Sequence, residues 1–232
     1  MAQFKTLTEL TTLVRRKADI ENAGQHVSDD EITDYINSAI AMLWSLLIDG
    51  TDGSLFAKVS PSPIQVGDNA YQLPSDFFKL IEVSIDSGNR FHPATEADPQ
   101  EYGMLLKRPW TGGYDSRYFF QFNQDQGWFE LFIFPAPDPN TILIRYIAEA
   151  QVLSVGTEEL RLPSNWYEWV VFDAAIQCLI KEESDPTPLM SEREKRERRL
   201  KDDIRSMAPA TVSSIRRFGR INHLSPPNID VY

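Results

Sequence analysis

The phrase Leu-Pro-Ser occurs twice, and its copies divide the chain. Leu73-Pro74-Ser75-Asp76-Phe77 lies near the start of a β-rich stretch, and Leu162-Pro163-Ser164-Asn165-Trp166 lies at its end and opens a strongly apolar helix. Each proline stops a strand, and the Ser/Asp or Ser/Asn pair after it can accept the orphan N–H groups of a starting turn or helix. The phrases bracket a β module of about 90 residues with helical sequence on both sides. This punctuation restricts the chain to an α+β organisation in which the β part is an insertion.

Before the module, residues 3–22 place Phe4, Leu7, Leu10, Leu13 and Val14 at helical spacing, with Gly24 as the stop. Ser28-Asp29-Asp30-Glu31 reads as a capping box. The helix it opens carries Ile32, Ile36, Ile40, Leu43 and Leu47 in one wide apolar stripe and ends near Asp49-Gly50. The expectation is a helical hairpin over residues 1–53.

Residues 54–163 alternate β-branched and aromatic segments with turn signals. Strands are expected at Phe56–Val59, Ala70–Leu73, Phe78–Ile85, Tyr118–Phe122, Trp128–Phe134 and Ile142–Ile147, and Asp125-Gln126-Gly127 should turn a hairpin. Asp98–Lys107 reads as a short helix, and Pro135, Pro137 and Pro139 as a stiff connector. The strand at Trp128–Phe134 is apolar on both faces, so it should be covered twice. From 164 to 208 two further helices complete the bundle. The first, with Trp166, Trp169, Val170, Phe172 and Ile176, is apolar around much of its circumference and should be central. Trp166 and Trp169 are expected to meet the stripe of Ile36, Ile40 and Leu43 as the core. After the break at Asp185-Pro186-Thr187-Pro188, residues 188–207 form a charged outer helix with Leu189, Leu200, Ile204 and Met207 on its apolar side. Its pairs Glu192–Arg196, Glu194–Arg198 and Glu197–Lys201 each contribute ~0.3–0.5 kcal/mol.

Charge narrows the partners. The net charge is −11, and the first 180 residues carry 12 basic and 25 acidic side chains, while 209–232 carry three arginines and one aspartate. An acidic body repels phosphate, which disfavours sequence-specific DNA binding. The last segment mixes Arg216, Arg217 and Arg220 with Phe218, Ile221 and Tyr232, too apolar for a solvated linker and too short for its own core. Such a segment packs along its own domain or orders on a partner.

Chemistry is sparse. The sequence has no phosphate loop, dinucleotide fingerprint, nucleophile elbow or His-Glu-x-x-His pair. His26, His92 and His223 lie in separate segments, so no metal or other cofactor is expected. Cys178, the single cysteine, sits among Ile176, Leu179 and Ile180 as a buried thiol. No apolar run approaches ~20 residues, and the amino terminus lacks the apolar stretch of a secretory signal, so neither a membrane span nor export by that route is expected. Acidic clusters such as Asp29-Asp30-Glu31 and Glu158-Glu159, with Trp110, Tyr114, Tyr118 and Trp128, leave open a carbohydrate-binding or depolymerising alternative. The capping box accounts for the first cluster, a turn for the second, and packing for the aromatics.

The order of elements carries a resemblance. The Ser-Asp-x-Glu cap, Tyr71-x-Leu73-Pro74-x-Asp76-Phe77 leading into Leu80-Ile81-x-Val83, Phe132-x-Phe134-Pro135-x-Pro137, Ile144-x-Tyr146, and Leu162-Pro163-x-x-Trp166 follow one another in turn. A charged helix and a tail close the series. The layout resembles the head-to-tail adaptor proteins of tailed bacteriophages, the group that includes the tail tubular protein A of short-tailed phages. Trp166 stands where several members carry Tyr. The resemblance implies a structural, non-enzymatic protein of the virion neck. It implies a homo-oligomeric ring, usually of twelve copies, below the portal protein, with the β module offered to the next tail or nozzle component and DNA passing through the channel. It also implies a tail that reaches the portal through Arg216, Arg217, Phe218, Arg220, Ile221 and Tyr232.

Overall fold

The computed structural model describes residues 4–20, 26–51, 56–61, 63–105, 107, 116–162 and 166–207. The fold class is α+β, as the sequence implies. Four helices share one apolar core: α1 (Leu7–Lys17), α2 (Asp29–Thr51), α4 (Tyr167–Lys181) and α5 (Thr187–Met207). A fifth, α3 (Tyr102–Leu105), belongs to the β module.

The first helix starts later than its apolar spacing suggests. Lys5–Thr6 form a two-residue strand, β1, paired antiparallel with β11 (Glu159–Leu160). Thr6 then caps α1: its hydroxyl accepts the Glu9 N–H at 3.2 Å while the Glu9 carboxylate accepts the Thr6 N–H at 3.2 Å. Phe4, expected on the apolar face, is exposed. Nor does α1 run to Gly24. It ends at Lys17, with Asp19 at φ 55° in the left-handed region. There Ile20 N–H reaches Arg15 O at 3.0 Å and Asp19 N–H reaches Arg16 O, a Schellman closure without glycine. Gly24 lies outside the described residues.

The box at α2 forms as read. Glu31 N–H donates to Ser28 Oγ at 3.2 Å, and Ser28 N–H donates to the Glu31 carboxylate at 3.0 Å. The apolar stripe of α2 then packs on α4, bringing Ile36, Ile40 and Leu43 into one buried cluster with Trp166 and Trp169. The Ser164-Asn165 cap expected before Trp166 lies outside the described residues.

The β module contains two sheets around a common core. One is four-stranded and antiparallel, in the order β2 (Ala57–Pro61), β10 (Ile142–Ala148), β5 (Phe77–Asp86), β6 (Phe91–Pro93). The other is five-stranded, in the order β3 (Ile64–Gln65), β4 (Ala70–Gln72), β9 (Trp128–Phe134), β8 (Arg117–Asn123), β7 (Thr95–Glu96). The module is not wholly antiparallel, because β7 runs parallel to β8. Period-2 alternation turns Val83, Ile85, Ile142 and Ile144 of one sheet toward Tyr71, Leu131 and Ile133 of the other. The opposite face of β9 is covered as well: Phe134 is buried, and with Phe132 it packs against Phe119, Ala97 and Leu105 of the α3 region. The β8–β9 hairpin turns where expected, at Gly127 with φ 75°, and the Asn123 side-chain oxygen accepts the N–H groups of Asp125 and Gln126.

Residues 150–162 leave the module and lie along the helices. Leu153, Leu160 and Leu162 join the helical cluster. Asn37 on α2 donates to Leu153 O at 2.9 Å and accepts Leu153 N–H at 2.8 Å, while the Trp44 indole donates to Ala148 O at 2.9 Å.

Candidate functional site

The residues that could carry chemistry are already engaged in holding the fold. Asp29 is paired with Arg15 at 2.7 Å, and Glu31 serves both the α2 cap and Lys181 at the end of α4. The Glu158 carboxylate accepts the N–H groups of Ser154 and Val155, and these bonds hold its acidity below the usual carboxylate range. Cys178 is buried, and desolvation foremost pushes its thiol up to about 11, which leaves little thiolate near neutrality. Among the described residues no cluster of His, Cys, Asp and Glu is arranged to hold a metal. His92 Nε2 lies 3.1 Å from Ser87 Oγ, His26 is exposed, and His223 lies outside the described residues. Of the aromatics considered for stacking, Tyr118 packs against the sheet core and the Trp128 indole donates to Glu130, while Trp110 and Tyr114 lie outside the described residues.

The features that remain are surfaces and grooves. A cleft of about 800 Å³ opens where the helices meet the β module, lined by Trp44, Phe56, Lys58, Asp76, Glu149 and Arg161 among others. Asp76 does not act as the turn cap read from its Leu-Pro-Ser-Asp phrase. Its carboxylate accepts from Lys58 Nζ at 2.7 Å and from Tyr146 Oη at 2.9 Å. Burial alone would raise the Asp76 carboxyl, yet these two bonds and the Lys58 charge leave it below its ordinary value. The same burial, with the Asp76 bond, pushes the Tyr146 phenol up to about 12.

On the β module, Phe120 and Phe122 of β8 are 38% and 50% exposed, and Phe78 of β5 is 52% exposed. Phe122 sets its edge against Phe129 at 5.1 Å, so these rings extend the buried core into an open apolar margin. The outer helix is less solvated than its composition suggests. Leu200 and Ile204 are buried, and Arg193 and Arg196 reach across to α4. Arg196 does not pair with Glu192 as its spacing predicts; it binds Glu168 on α4 at 2.7 Å, and Lys195 takes Glu192 at 2.6 Å. The pairs Glu194–Arg198 and Glu197–Lys201 form at 3.8 and 2.7 Å.

The site residues expected from sequence fall into two groups. Ile36, Ile40, Leu43, Trp166 and Trp169 are buried together in the helical cluster. Arg216, Arg217, Phe218, Arg220, Ile221 and Tyr232 lie outside the described residues. Sequence reading missed Asp173, a carboxylate buried within α4 that accepts from Arg193 and from Gln177. A lone acid in the otherwise apolar run Trp169–Ile180 was the available signal.

Helices from both ends of the chain around one core, a β module between them and carboxylates engaged in capping and ion pairs define a structural protein that works through its surfaces. The chain belongs to the SU10 adaptor protein family, whose model matches residues 5–218, and is therefore an adaptor-type structural protein of a bacteriophage. That family implies incorporation in the virion and contact with other head and tail proteins. Among curated proteins none matches the chain. No described helix is long and apolar enough to cross a membrane.

Proposed function

We propose that the chain is the head-to-tail adaptor of the particle: a closed homo-oligomeric ring of twelve copies that sits below the portal in the virion neck and joins capsid to tail. The observation that carries this reading is the family match across residues 5–218, joined to a helical part and a β module that bury separate cores. In the ring, the helical part packs subunit to subunit and faces the portal, while the β module, like that of tail tubular protein A, points toward the next tail or nozzle component. The excess of acid over base in the first 180 residues suits a channel through which DNA slides without sticking. The apolar margin at Phe78, Phe120 and Phe122 suits a heterologous contact that closes when the rotation allows. Arg216, Arg217 and Arg220 meet acidic groups on the portal, and Phe218, Ile221 and Tyr232 fill apolar recesses there. Cryo-EM of intact particles is the test. Density for this chain as a ring between portal and tail is expected; isolated copies, or density away from the neck, would refute the proposal.

A further inference from the structure

The start of α4 holds hydrogen-bond donors that the fold does not use. Trp166 and Trp169 are 4% and 2% exposed, and neither indole N–H has an acceptor. The Nε–H of Arg196 is likewise buried without one, although the other arm of that guanidinium binds Glu168. A donor buried without a partner carries its whole desolvation cost, so native chains rarely leave several side by side. These three side chains line one recess of about 170 Å³ between α4 and α5, with Glu168, Arg199, Leu200 and Asp203 as its other walls. It has room for a single small polar group.

The lining selects the chemistry of that group. Unused donors require an acceptor, and the recess lies at the positive end of the α4 dipole, which favours an anion. Arg199 adds an exposed guanidinium that forms no ion pair among the described residues. Against a phosphate stand Glu168 and Asp203 in the walls and a net charge of −11, which disfavour a dianion. A singly charged, planar carboxylate meets these constraints, with its oxygens taking the indole protons.

We propose that this recess is a receptor for one carboxylate side chain presented by a partner protein, held by the indole N–H groups of Trp166 and Trp169 and by Arg199. The partner's place among the other virion proteins rests on the adaptor reading; the site itself does not. The test uses the full-length chain with ¹⁵N-labelled tryptophans, the indole signals being assigned by Trp166→Phe and Trp169→Phe. Propionate, propionamide and inorganic phosphate are titrated at constant ionic strength. Propionate should shift both indole signals downfield in a saturable way, propionamide should leave them in place, and phosphate should act more weakly than propionate. Loss of one indole donor should weaken propionate about tenfold. Arg199→Gln, a change on the exposed surface that does not depend on the core refolding, should weaken it several-fold. Unmoved signals, an equal response to propionamide, or a stronger response to phosphate overturns the proposal. Each of those results leaves the adaptor assignment standing, because that is decided in the particle.

Discussion

Arg193 reaches from α5 to Asp173, whose side chain is only 5% exposed in the middle of α4. The pair joins the outer helix to the central one at a point where water cannot compensate a lone charge. Arg193→Ala should therefore cost about 3–5 kcal/mol, because it strands the carboxylate with only Gln177 as donor. Replacing both partners, Asp173→Leu with Arg193→Met, should restore most of that loss. Urea unfolding of the single and double variants gives the comparison, and a double variant no better than the single would show that the pair itself supplies the stability.

Trp169 is 2% exposed and lies in the cluster with Ile36, Ile40 and Leu43. Trp169→Ala should cost about 3–5 kcal/mol, from lost burial and the cavity left behind. Thermal unfolding checks this, and near-wild-type stability would place the core elsewhere.

The α2 cap predicts a pH dependence. Hydrogen bonds from Lys181 and then from the Ser28 N–H hold Glu31 below its ordinary value of 4.5. A carboxylate depressed by folding contributes stability that is complete above the unfolded value and is lost as pH falls through the folded one. Melting temperature should decline below pH 4.5 more steeply in the wild type than in Glu31→Gln. Parallel profiles for the two proteins would remove Glu31 from the acid transition.

A methyl group on Gly156 would lie 2.7 Å from Thr8 Oγ1, where the Thr8 N–H and hydroxyl both donate to Gly156 O. Gly156→Ala should destabilise by about 1–3 kcal/mol, and Thr8→Ala in the same chain should recover part of the loss. Calorimetry of both variants decides whether this approach is as tight as the geometry indicates.

Deleting residues 209–232 should leave the fold and melting temperature nearly intact and abolish head-to-tail joining. Docking of the truncated chain onto purified portal is the measurement. Unchanged affinity would dismiss the tail as the anchor, and unfolding would make it part of the core.

Where the sequence was legible, one local rule decided the outcome. Ser28 and Glu31 sit at capping-box spacing, and the box formed; the run Trp128–Phe134 was apolar on both faces, and both faces are covered. Thr6 and Glu9 have the same spacing, but the apolar periodicity beginning at Phe4 masked it. Helix ends were illegible for another reason. Asp19 and Glu183 take the left-handed closing position at φ 55° and 56°, where a reader expects glycine. The short strands β3, β6, β7 and β11 were missed because two or three residues carry no period; tertiary pairing alone makes them strands. The recess at Trp166 and Trp169 left no sequence signal, since buried indoles read as core whether or not their N–H groups find acceptors.

The link between Asn37 and Leu153 has a mechanical consequence. One side chain grips both the N–H and the C=O of a single residue, as a neighbouring strand would, and the two-residue β1–β11 pair fastens the same segment further along. A pull applied to the β module therefore reaches the helices across several hydrogen bonds loaded together, instead of peeling them one at a time. With Trp44 tied to Ala148 at the near end, the segment behaves as a rivet line and not as a hinge. The two parts of the molecule are built to transmit tension as one body.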